Sequence, residues 1–88
     1  MKLATCYVAS LMETWIALFY TATPKEDIIE FFQNKMAREL RKRGYCKKSH
    51  LSEWESFMDE ITWDGSVFIK KMSPYKSYTI DEDTWTIK

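Results

Sequence analysis

From Ile28 onward the apolar residues return at helical spacing. Ile28 or Ile29, Phe32, Met36 and Leu40 form one stripe, and Glu30, Asn34, Arg38, Arg41 and Lys42 take the other side. This pattern predicts a helix from Pro24 to Arg43. Thr23 suits the N-cap, Pro24 suits the first helical position, and Glu26 completes a capping-box spacing. Glu26, Asp27 and Glu30 lie near the positive end of the helix dipole, with Lys42 and Arg43 near the negative end. Gly44 follows as a residue that can turn left-handed and end the helix.

Upstream, Val8, Leu11, Met12, Trp15, Leu18 and Phe19 also fit a helical stripe. Trp15 to Thr21, however, is a run of aromatic, aliphatic and Thr residues that suits a sheet. The reading favours a hairpin, Lys2–Ala9 and Thr14–Thr21. Its connection, Ser10-Leu11-Met12-Glu13, lacks the usual turn residues. Downstream, Lys47 to His50 reads as a polar linker. Ser52 can cap a short helix with Glu53 and Glu55 in its first turn and Trp54, Phe57, Met58 and Ile61 on its apolar side.

Asp64-Gly65 is a turn signal. Val67 to Met72 then reads as a strand with Val67, Ile69 and Lys71 on one face and Phe68, Lys70 and Met72 on the other. Ser73-Pro74 turns into a hairpin partner, Tyr75 to Ile80. Asp81-Glu82-Asp83 is a loop, and Thr84 to Ile87 a last short strand. The fold class is therefore α+β: a small antiparallel sheet of two hairpins, with about four strands, packed against one long helix plus a short second helix. The expected core is Val8, Ile16, Leu18, Ile29, Phe32, Met36, Leu40, Phe57, Ile61 and Ile69.

A length of 88 residues makes one domain, and 45% hydrophobic residues support a packed core. Charged residues are interspersed over most of the chain, which excludes a disordered or low-complexity segment. Aromatic residues make up 16% of the chain, more than so short a chain can bury. Some should reach the surface, where protein interfaces and single-strand nucleic-acid platforms both use them. Cys6 and Cys46 do not make a disulfide framework; the sequence leaves a single bridge between them open and favours two reduced thiols in a cytoplasmic protein. The apolar run Leu3 to Met12 is preceded by a single lysine and stopped by Glu13. Neither a signal peptide nor a membrane span is expected.

Charge changes the picture more. Lys35, Arg38, Arg41, Lys42, Arg43, Lys47 and Lys48 crowd the middle. Glu53, Glu55, Asp59, Glu60, Asp64, Asp81, Glu82 and Asp83 load the last half, and the net charge is +0. Such a layout lets a small domain dock through one signed surface without general stickiness. Parts for catalysis are thin. Cys46 and His50 are half a zinc site or a Cys–His pair, with Cys6 remote and no Cys-x-x-Cys motif. Gly44 and Gly65 belong to no phosphate-cradling loop, and Asp81-Glu82-Asp83 lacks the ligand spacing of a calcium loop. No enzymatic activity, cofactor or metal is expected.

The expected function is non-enzymatic: docking on a larger protein, nucleic-acid-processing enzymes being one candidate class, and inhibiting or modulating it, as small phage-type accessory inhibitors do. The contact set is Glu53, Trp54, Glu55, Asp59, Trp63, Asp81, Glu82 and Trp85. The alternative is a nucleic-acid-binding module using Arg38, Arg41, Lys42, Tyr45, Lys47 and Lys48. A third class is a small-ligand sequestering domain, which needs an oligomeric pocket; a homo-oligomer is compatible with each.

Overall fold

The structure is a computed structural model and describes residues 1–71, 80–81 and 86–87. Strands β1 (Lys2–Val8) and β2 (Glu13–Phe19) form the expected hairpin, in antiparallel register with Lys2 opposite Phe19 and Val8 opposite Glu13. The connection works without glycine because a 3₁₀ turn, Ala9–Leu11, is closed by Met12 in the left-handed conformation (φ 51, ψ 39). Strand β3 (Val67–Lys71) pairs with the other edge of β1, giving the antiparallel order β2-β1-β3.

Among the described residues this sheet thus has three strands rather than four. A separate ladder joins β4 (Ile80–Asp81) to β5 (Thr86–Ile87). The hairpin partner expected over Tyr75 to Ile80 lies outside the described residues except for Ile80.

Helix α1 (Lys25–Lys42) buries Ile28, Phe32, Met36 and Leu40, the stripe set by its sequence. Its start differs from expectation. Pro24 is the N-cap and no side chain caps the helix, so the Thr23 capping box does not form. The Pro24 carbonyl instead accepts from the amides of Asp27 and Ile28 at 3.2 and 3.3 Å. The far end matches the glycine signal. Gly44 (φ 88) donates to the Arg41 carbonyl at 3.2 Å, and Tyr45 donates to the Leu40 carbonyl at 2.9 Å. This is a Schellman closure, and it returns the chain toward the body of the molecule.

Helix α2 (Leu51–Asp59) begins at a His50 N-cap, which places Ser52 inside the helix rather than at its cap. Trp63–Ser66 is a tight turn with non-helical Asp64 and Gly65 (φ 96). It is held by the Thr62 amide donating to Ser66 Oγ at 2.8 Å.

One sheet face carries Ala4, Cys6, Val8, Trp15, Ala17 and Val67, which join the α1 stripe, Trp54 and Ile61 in one buried cluster. Phe19, Phe31 and Phe32 meet edge-to-face at centroid distances of 5.2 to 6.3 Å and tie the end of β2 to α1. Of the expected core, Ile16 and Leu18 face the opposite side of the sheet, pairing with Thr5 and Leu3; Leu18 is nonetheless buried, as expected, whereas Ile16 is only partly buried. Ile69 points inward but lies on an edge strand and remains 36% exposed. Ile29 and Phe57 are partly buried against the cluster.

Candidate functional site

Helices α1 and α2 pack side by side and leave a groove of about 500 Å³ between them. From α1 come Gln33, Asn34, Ala37 and Arg41, positions that flank the buried stripe. From α2 come Leu51, Trp54, Glu55, Met58 and Asp59, which recur at i, i+3, i+4, i+7 and i+8 and so share one helical face. Lys47 reaches in from the connection.

Trp54 lines the groove but is only 5% exposed. The Arg41 guanidinium lies over its ring, 5.5 Å from the centroid, a cation–π arrangement. Its indole N–H is buried with no hydrogen-bond partner. Trp54 is therefore part of the core and not a free-standing anchor, because α2 can pack on α1 only through its apolar side.

Two signs of charge face this one groove: Arg41 and Lys47, Glu55 and Asp59. Among the described residues the ion pairs are Lys42–Glu39 at 3.5 Å and Arg43–Glu13 at 3.2 Å, and neither involves a groove residue. The expectation of two segregated charged surfaces is corrected here, since the chain reversal after α1 brings acidic α2 against the basic end of α1. Glu53 is exposed on α2 but does not line the groove. Trp63 is half-buried beside the core, with the Lys25 ammonium 5.9 Å from its ring centroid. Asp81 belongs to β4, while Glu82 and Trp85 lie outside the described residues.

The basic set divides as well. Arg38 and Arg41 flank a second hollow with Phe31, Asn34 and Ala37, so Arg38, Arg41 and Lys47 edge adjoining hollows along α1. Lys42 is held by Glu39 instead, and Lys48 is exposed outside both hollows. Tyr45 is partly buried and packs edge-to-face with His50 and Phe57 at 5.4 and 5.6 Å. The sequence reading missed Gln33, Asn34, Leu51 and Met58 as groove residues. The α2 spacing was a signal for the last two, whereas only packing brings Gln33 and Asn34 alongside.

The cysteine–histidine segment is a compact turn. The Cys46 amide donates to His50 Nδ1 at 3.0 Å, and the His50 amide donates to the Cys46 carbonyl at 2.8 Å. Cys46 is exposed, and the backbone amides of Ser49 and then Lys48 hold its thiol below the ordinary value. Cys6 lies in the core, where burial pushes its thiol up to about 11. Both are free thiols in different environments, so Cys6 does not complete a metal site with Cys46 and His50. Among the described residues no group of three or more His, Cys, Asp or Glu side chains converges, and no helix is long and apolar enough to cross a membrane.

On the opposite face of the sheet, Tyr7 and Phe68 are 48% and 59% exposed, diagonal neighbours across β1 and β3. A smaller apolar hollow of about 350 Å³ lies at the turn from β2 to α1, lined by Leu18, Phe19, Tyr20, Thr23 and Phe31. No family model, curated protein or solved structure matches the chain.

Proposed function

We propose that this chain is a non-enzymatic binding protein that docks on a larger protein through the α1–α2 face and modulates it. The observation that carries this reading is the groove itself. Four charges, from Arg41, Lys47, Glu55 and Asp59, surround an apolar floor with no ion pair among them. Charged rims around a packed apolar centre are the usual anatomy of a protein interface. Leu51, half-exposed at the groove, adds an apolar contact at its edge. A cytoplasmic setting agrees with two free thiols.

The test is capture from the native host with a tagged chain, followed by mass spectrometry. A single larger protein should be retained. Its recovery should fall sharply in Glu55→Lys combined with Asp59→Lys and persist in Glu53→Lys, whose site lies off the groove. Retention that ignores the double reversal would sink the reading.

A second reading, nucleic-acid binding, is favoured by the position of Arg38, Arg41 and Lys47 at the two adjoining hollows. In that case oligonucleotide affinity should fall steeply with salt and vanish on reversal of Arg38 and Arg41.

A further inference from the structure

We infer that the groove takes a mixed-charge peptide segment of the partner, its carboxylate held by Arg41 and Lys47 and its cationic side chain by Glu55 and Asp59. The inference rests on the docking reading and names what docks. Charge selects the occupant. A phosphate backbone or acidic tract would press negative charge on Glu55 and Asp59, and a purely basic tract would meet Arg41 and Lys47. A segment carrying both signs satisfies the two pairs together. Glu55 and Asp59 also stand four residues apart on one helical face, where like charges repel, so a cation placed between them relieves α2.

Hydrogen bonding points the same way. Gln33 and Asn34 offer amide donors and acceptors that match a peptide backbone. Trp54, whose ring lies under the Arg41 guanidinium, supplies a buried indole N–H with no partner.

The test uses the full chain and three blocked hexapeptides of alanine: one with a glutamate and a lysine, one with two glutamates, one with two lysines. The readout is the indole N–H resonance of Trp54 by NMR. The mixed peptide should shift it and bind about two- to fivefold more tightly than either like-charged peptide, the worth of an exposed ion pair. Arg41→Gln and Glu55→Gln should each erase that preference in chains whose amide spectra remain folded. Equal or tighter binding of the two-glutamate peptide would overturn the inference, as would an unmoved indole resonance. The docking reading is judged separately, by whether groove reversals abolish partner capture. Silent peptides with groove-dependent capture defeat only the inference, and peptide binding with capture indifferent to the groove defeats only the docking.

Discussion

Met12 takes the conformation that a glycine would hold at no steric cost. A left-handed residue with a Cβ costs roughly 1–2 kcal/mol, and glycine returns part of that through its freer unfolded chain. The Met12 side chain is 84% exposed, so its removal loses little packing. Met12→Gly should therefore raise stability by up to about 1 kcal/mol and Met12→Val should lower it by about the same or more, read from urea midpoints.

The two thiols separate just as cleanly. In the native protein Cys46 should react quickly with a disulfide reagent and Cys6 only after unfolding, with Cys46→Ser removing the fast phase. Because burial raises Cys6 from 9.0 to about 11, the folded chain keeps a proton that the unfolded chain loses. That contribution is complete below about pH 9 and lost as pH rises through 11. Wild type should thus lose more stability between those pH values than Cys6→Ala does.

At the scale of elements, Trp54 joins α2 to α1 and ranks among the large buried side chains there. Its indole N–H makes no hydrogen bond, so Trp54→Phe sheds a group that contributes nothing to folding and keeps most of the ring. That substitution should cost less than about 1.5 kcal/mol. Trp54→Ala should cost about 3–5 kcal/mol through the cavity it leaves. Chemical denaturation distinguishes the two, and equal losses would mean that the N–H is bonded in solution.

The helices also show which local signals are decisive. The apolar stripe and Gly44 set the face and the end of α1 as the sequence implied, because spacing and a left-handed C′ residue act within one turn. The helix starts at Thr23 and Ser52 were misplaced. A capping side chain competes with whatever the incoming chain imposes, here the turn in which the Thr23 amide donates to the Tyr20 carbonyl at 3.0 Å.

Over the whole molecule, the decisive event is the reversal at Gly44 that lays the acidic helix α2 beside the basic C-terminal end of α1. Along the chain the charges are blocked, yet in the fold Arg41 and Lys47 share a groove with Glu55 and Asp59. The candidate site was legible in its charged members but not in its arrangement. Arg41, Lys47, Glu55 and Asp59, expected on opposite surfaces, line one groove, and Trp54, expected as a contact residue, is a nearly buried part of its floor. The same non-local logic put Ile16 on the sheet face away from the α1 stripe and left it only partly buried, since alternation fixes which residues travel together but not which set meets the helix.

The order of residues alone determined the β-hairpin, the long helix with its buried stripe, the Gly44 and Gly65 turns and the α+β class. Each follows from side-chain period or backbone freedom over a few neighbouring positions. Tertiary structure decided that β3 pairs with β1, which sheet face is the core, that Met12 rather than a glycine closes the hairpin, and that two opposed charge blocks meet around Trp54. Those outcomes depend on contacts between segments distant along the chain, whose free energies no local pattern contains.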